Sequence, residues 1–223
     1  MPGISIPARA QHTASVIFAH GLGDSGAGWS FLPELMAAQK LLPGVKWILP
    51  NAPMLPVTVN MGMKMPAWYD IASLGDIDQR TEDEAGMLKS AASLHALVDE
   101  EIAGGLASNK VVLAGFSQGC AMALLAGLTC KKPLAAIVGM SGYLPLREKL
   151  PNLATEANKE TPIWLAHGTA DPVVNPKFGQ LSQSYLKEKM GRKVEWQTYQ
   201  GLAHSADPRE LMDLAAFLKR VLA

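Results

Sequence analysis

Six stretches of this chain are short and almost continuously apolar: residues 14–21 (ASVIFAHG), 45–53 (VKWILPNAP), 110–116 (KVVLAGF), 135–142 (AAIVGMSG), 162–168 (PIWLAHG) and 193–199 (KVEWQTY). Most lack the alternation of a half-exposed strand, which predicts strands buried on both faces. Between them, residues 31–41, 82–106, 118–128, 177–189 and 208–222 read as helices. The last shows its face most openly: Leu211, Leu214, Ala215, Phe217, Leu218 and Leu222 form an apolar stripe. Arg209, Glu210, Asp213, Lys219 and Arg220 take the wet side. Strands alternating with helices predict an α/β fold, a mostly parallel sheet with helices on both faces. There are no internal repeats or low-complexity linkers, so residues 1–223 read as one domain.

One segment breaks the rhythm. Residues 54–81 (MLPVTVNMGMKMPAWYDIASLGDIDQRT) carry Met54, Met61, Met63 and Met65 within twelve positions, and two prolines that exclude a helix. A structureless excursion over about residues 53–80 is expected, and connections of that length are often functional. The methionines either fill irregular gaps in the core or line a groove for a flexible apolar ligand, a task that suits soft thioethers.

Composition narrows the function classes. With 20 basic and 20 acidic residues the formal charge is zero, so nucleic acid is not an expected partner. Nothing approaches the roughly 20 apolar residues of a bilayer span, and no signal-peptide pattern precedes the first strand. Cys120 and Cys130 lie ten positions apart in and after one helix, too far for a bridge at helical rise, so a reducing, cytoplasmic setting is expected.

The chemistry is concentrated where strand 110–116 gives way to helix 118–128. In GFSQG, Ser117 stands between Gly115 and Gly119. A serine on such a strand-to-helix turn raises its hydroxyl above the sheet edge, and the flanking glycines let backbone pass closely. The amide of Gln118, at the start of the helix, is then an oxyanion donor. A base is needed, and there are five histidines. His12 lies in a poorly patterned terminus and His95 inside the long charged helix. His20 and His167 each stand before a glycine at a strand end, where an imidazole often only braces a loop. His204, in the loop between the last strand and last helix, is the best candidate. Asp171 in AHGTADPVV falls between serine and histidine on a turn at the same edge, in the chain order this arrangement uses. The glycine-rich loop FAHGLGDSGAGW supplies a second oxyanion amide, Leu22. It lacks the Lys-Ser/Thr of a phosphate loop. No metal or other cofactor is called for: the histidines are dispersed, and Asp24, Asp70 and Asp76 have no ligand spacing.

These segments, with NAPMLPVTVNMGMKMPAWYDI, GMSGYLPL and YQGLAHSADPRELMDLAAFL, span nearly the whole chain and together resemble the acyl-protein thioesterases of the phospholipase/carboxylesterase family, within the α/β-hydrolases. The resemblance implies Ser117 as nucleophile, Asp171 as acid, His204 as base, and Leu22 and Gln118 as oxyanion donors. It also places an acyl channel in the segment holding Leu55, Val57, Met61, Met63, Met65 and Trp68. The implied substrates are S-acylated proteins, lysophospholipids or acyl esters, cleaved through an acyl-enzyme. The pattern departs at Cys120, where a glycine is usual, and a packing adjustment with redox sensitivity is expected there. A general carboxylesterase or lysophospholipase shares the same motifs, and a lipid-binding module without catalysis is a further alternative. Transient contact with a membrane surface and a homodimer are both compatible with exposed apolar residues near the channel.

Overall fold

The computed structural model describes residues 3–73 and 81–223; Asp76 and the end of the excursion lie outside these. The strands are β1 (Gly3–Ile6), β2 (Ala14–Ala19), β3 (Val45–Pro50), β4 (Met54–Val57), β5 (Met63–Pro66), β6 (Val111–Phe116), β7 (Ala136–Met140), β8 (Ile163–Gly168) and β9 (Val194–Tyr199). The helices are α1 (Phe31–Ala38), α2 (Glu84–Ala103), α3 (Gln118–Thr129), α4 (Leu150–Leu153), α5 (Pro176–Ser184) and α6 (Pro208–Leu222).

Seven strands form one sheet in the order β1-β3-β2-β6-β7-β8-β9. Only the β1–β3 pair is antiparallel. Every residue of β2, β7 and β8 is buried, because helices cover both faces. Ile17 and Ala19 of β2 face a core built with α2 and α3, whereas Val16 and Phe18 face a second core built with α1 and α6. This is an α/β-hydrolase fold.

The strand order also decides where chemistry can occur. From β2 the chain builds outward to β3, then returns to lay β6 on the other side of β2. At such a reversal the connections leave in opposite directions and a crevice opens at the carboxyl ends of the strands. The loop after β2 and the turn after β6 therefore meet at one place.

Four local features differ from the sequence expectation. Helix α1 stops at Ala38 because Lys40 and Leu42 take left-handed backbone, φ 56° and 51°. The helix expected over 177–189 ends at Ser184 and finishes as a π-helical turn, Tyr185–Lys189. The excursion is not structureless: β4 and β5 pair as an antiparallel hairpin, Met54 opposite Pro66 and Val57 opposite Met63. Prolines are tolerated there because a two-stranded ribbon is all edge. Strand β1 escaped notice because it is mostly exposed and its alternation of Ile4 and Ile6 with Gly3 and Ser5 is too short to stand out.

Helix α6 carries one more correction. Asp207 caps it, accepting from the amides of Arg209 and Glu210 at 2.9 and 3.1 Å. Glu210, expected on the wet face, is 0% exposed. Burial, with the nearby Asp207 carboxylate, pushes its carboxyl up to about 8. An acid protonated in the fold but ionised in the unfolded chain above about 4.3 loses its stabilising contribution as pH rises toward the folded value. Glu210→Gln should therefore match the parent in thermal stability near pH 4 and exceed it increasingly up to pH 8. A gain of ~1 kcal/mol would appear as about 2–4 °C in Tm.

Candidate active site

Ser117 occupies the turn between β6 and α3 at φ 57°, ψ −119°, a strained conformation for a residue with a Cβ. Its amide donates to Met140 O at 2.9 Å, which fixes the turn to the end of β7. The flanking glycines are required by contact. A Cβ on Gly119 would lie 2.0 Å from Ala19 O, and one on Gly115 would lie 2.2 Å from Gly119 O. Close passage of α3 over β2 thus depends on both.

The turn faces an imidazole. Ser117 Oγ lies 2.9 Å from His204 Nε2, and His204 Nδ1 lies 2.7 Å from Asp171 Oδ2. Since the carboxylate only accepts, Nδ1 carries the proton and Nε2 is free to accept from the hydroxyl. Asp171 comes from the loop after β8 and His204 from the loop after β9, so three strand ends converge. Asp171 Oδ1 accepts from the amides of Val173 and Val174 at 2.8 and 2.9 Å. Burial pushes the Asp171 carboxyl up, but hydrogen bonding from His167, His204 and the Val174 amide outweighs it and holds the group well below the usual carboxylate range.

The other histidines brace the structure. His20 donates from Nδ1 to Gly21 O at 2.7 Å and accepts from the Ala52 amide at Nε2, 3.0 Å away. Burial disfavours its charged form, consistent with that accepting nitrogen. His167, fully buried, donates from Nε2 to Val174 O at 2.9 Å and stands 3.4 Å from Asp171 Oδ2. It therefore supports the Asp171 loop from behind. His12 meets Ser15 Oγ at 2.8 Å, and His95 meets Ala126 O at 2.7 Å, both through Nε2.

Leu22 and Gln118 border the same cavity as Ser117 and His204. Neither backbone amide donates to an acceptor among the described residues; that of Gln118 is one of the unpaired donors of a helix start. The Leu22 loop is held by His20 beneath it and by the Gly23 amide, which donates to Pro66 O at 2.8 Å. The Gln118 side chain does work that the sequence did not announce. Its Oε1 accepts from Trp68 N and its Nε2 donates to Tyr69 O, each at 2.8 Å, which clamps the chain after the hairpin to the turn bearing Ser117.

The cavity has a volume of about 410 Å³, within the usual size for small-ligand sites. Trp29, Val59, Tyr69, Ile71, Phe116, Tyr143, Val174 and Phe178 supply most of its apolar wall. The six residues expected to form an acyl channel do not. Leu55, Val57, Met61, Met63, Met65 and Trp68 are all absent from the residues bordering it. Val57 turns into the protein interior, while Met61 and Met63 face outward at 90% and 55% exposure. Leu55 is half-buried in the ribbon, and Met65 Sδ accepts from Asn60 Nδ2 at 3.2 Å. Trp68 is a buried bolt: its indole N–H donates to His20 O at 2.8 Å and its carbonyl accepts from Ser90 Oγ. The segment contributes through its flanks instead, Val59 and Asn60 at the hairpin tip and Tyr69 and Ile71 after it. Asp70 fixes that geometry by accepting from the Thr58 amide at 2.7 Å and from the Thr58 hydroxyl. The lining aromatics outside the segment, such as Trp29, Tyr143 and Phe178, carried no sequence signal beyond hydrophobicity.

Cys120 and Cys130 are free and buried. Cys120 fills space against Gly139 and Gly142, where a Cβ would come within 2.6 Å of its sulfur. Burial pushes its thiol up to about 12, so it packs as a small hydrophobe and is unsuited to redox chemistry. Among the described residues no group of three or more His, Cys, Asp or Glu is placed to hold a metal ion, and no helix is long and apolar enough to cross a membrane.

Residues 4–222 match the family model described as Phospholipase/Carboxylesterase. Curated relatives include acyl-protein thioesterase 1 of Neurospora crassa, 49% identical over 97% of this chain and 90% of that protein. The protein of the same name from Yarrowia lipolytica is 44% identical over 98% of this chain and 96% of its own length. Among solved structures, acyl-protein thioesterase 2 of Zea mays superposes with a TM-score of 0.89 at 32% identity, covering 100% of both chains. SOBER1 of Arabidopsis thaliana gives 0.88 at 33% identity, over 95% of this chain and 100% of that one. The seven-stranded sheet, the serine turn at its reversal point and a family match across almost the entire length lead to one assignment: this chain belongs to the phospholipase/carboxylesterase family of α/β-hydrolases.

Proposed function

We propose that the protein is a serine hydrolase that cleaves long-chain acyl thioesters from cysteines of S-acylated proteins. The observation that carries this reading is the relay from Ser117 Oγ through His204 to Asp171, at 2.9 and 2.7 Å, opening onto an apolar cavity. His204 takes the Ser117 proton as Oγ attacks the acyl carbonyl. The resulting oxyanion meets the Leu22 and Gln118 amides, preorganised where charge develops. Collapse breaks the carbon–sulfur bond and forms the acyl-enzyme, and His204 returns the proton to the departing sulfur. Water, deprotonated by the same imidazole, then releases the fatty acid and restores Ser117. Asp171 stays ionised throughout and keeps His204 in the accepting tautomer.

The cavity wall supports an apolar acyl group over a polar one. Each methylene buried adds about 0.8 kcal/mol, so four more, from C4 to C8, should raise kcat/KM on the order of a hundredfold if they enter the cavity. Profiling S-butyryl, S-octanoyl and S-palmitoyl cysteine peptides beside the matching lysophospholipids tests both chain length and leaving group. A flat profile would remove the acyl-chain role of the cavity, and faster lysophospholipid turnover would make the protein a lysophospholipase. As part of this proposal the exposed Met61 and Met63, displaced from the channel, form an apolar tip for transient contact with a lipid surface. The two buried free thiols fit a reducing cytoplasmic setting.

A further inference from the structure

Among the described residues Asp24 is the one carboxylate that borders the cavity, and no lysine or arginine borders it. Asp24 sits one tight turn beyond Gly21, to whose carbonyl its amide donates at 3.2 Å. Gly21 itself packs on the nucleophile's side chain, since a Cβ there would lie 3.4 Å from Ser117 Cβ. The Asp24 carboxylate rests against Gly28, where a Cβ would meet Oδ1 at 2.2 Å. It is exposed, and no hydrogen bond from the described residues occupies its oxygens.

A line of rings on the same cavity wall runs from Phe31 to the base. Phe31 lies 5.3 Å from Trp29, Trp29 lies 5.2 Å from Phe116, and Phe116 lies 4.8 Å from His204, centroid to centroid. His204 hands its proton to the departing atom, so the wall that carries it is the wall the leaving group faces. Asp24 and Phe31, whose ring is 42% exposed, both border the cavity that this wall lines. A carboxylate with free lone pairs and an open aromatic face on one cavity attract a cation that can donate hydrogen bonds.

We propose that Asp24 is a specificity-determining residue that favours leaving groups bearing a positive charge, namely a lysine or arginine close in sequence to the S-acylated cysteine. The proposal rests on the thioesterase function above and adds the chemistry of the polypeptide side of the substrate. A primary ammonium or guanidinium fits better than a quaternary ammonium headgroup. The latter has no N–H to donate, and Trp29, which would help to cage it, is itself buried by Phe18, Phe31 and Phe116.

The test compares kcat/KM for three S-octanoyl cysteine peptides that differ only in a neighbouring lysine, glutamine or glutamate, and for lysophosphatidylcholine, with wild type, Asp24→Asn and Asp24→Lys. Wild type should prefer lysine over glutamine by about three- to fivefold, the size of an exposed ion pair, and the preference should shrink as salt rises. Asp24→Asn should bring the ratio to about one, and Asp24→Lys should invert it toward glutamate. Because the ratio is taken within each variant, a general loss from a shifted Leu22 loop cancels. No charge preference in wild type, or a ratio unchanged in Asp24→Asn, overturns the proposal. So does an equal dependence of lysophosphatidylcholine on Asp24, which would transfer the subsite to a lipid headgroup. Failure of wild type to cleave even the glutamine peptide would instead remove the thioesterase function on which the proposal stands.

Discussion

Ser117→Ala is expected to lower kcat/KM for an S-octanoyl thioester by about 10⁴- to 10⁶-fold, the scale at which removal of a nucleophile acting in a relay is felt. The folded state should scarcely notice. The hydroxyl makes one hydrogen bond, to His204 Nε2, and a single such bond contributes about 1 kcal/mol net. The strained backbone at φ 57° is imposed by the Met140 contact and by the close passage of Gly119 over Ala19, and alanine inherits it. Steady-state kinetics and a melting curve on the same preparation read both quantities. A serine-directed fluorophosphonate should label the parent at Ser117 and leave the variant unlabelled. Retention of more than a few per cent of the activity would mean that another group attacks the substrate.

Asp171→Asn should cost about 10⁴-fold in kcat through the tautomer of His204, without displacing any atom by much. The direction of the new amide is fixed by the environment. At Oδ1 the side chain accepts from two amides, Val173 and Val174, so the asparagine oxygen must take that position. Turning it over would set an NH₂ group against two N–H donors and leave them unpaired, each costing about 1–3 kcal/mol. The asparagine nitrogen then replaces Oδ2, 2.7 Å from His204 Nδ1, and donates to it. His204 responds by carrying its proton on Nε2, where it donates to Ser117 and can no longer accept the hydroxyl proton. A loss in kcat below tenfold would show that Asp171 serves the loop rather than the imidazole.

How much of this was legible in the chain depends on how local each signal is. The central strands announced themselves because burial on both faces demands uninterrupted apolar runs, and those runs need no knowledge of partners. Ser117, His204 and Asp171 were legible because each sits at a punctuation point, a glycine-flanked turn or a loop between two patterned elements. The hairpin was the opposite case. Its methionines and prolines carry no strand periodicity, and the pairing of Met54 with Pro66 and of Val57 with Met63 is made across a turn that no local pattern marks. Val59 and Met61 lie in the connection between the two strands, where no two-residue period applies, so an apolar composition could not say that Met61 faces out and Val59 faces the cavity. Glu210 misled for a related reason. Helical periodicity placed it on the polar face, but at the first turn of α6 the neighbouring structure closes over it.

The sequence by itself determined the alternation of strands and helices, the serine turn with its two obligatory glycines, the chain order of the three relay residues and the family, because these depend on spacing along the backbone. Only the tertiary structure decided which residues wall the cavity, that Gln118 fastens the Trp68–Tyr69 backbone to the serine turn, that Cys120 is an inert filler, and that among the described residues Asp24 alone brings a carboxylate to the cavity. Each of those outcomes is a meeting of segments distant in sequence. Their contacts come from the order of strands in the sheet, and no local pattern of residues encodes that order.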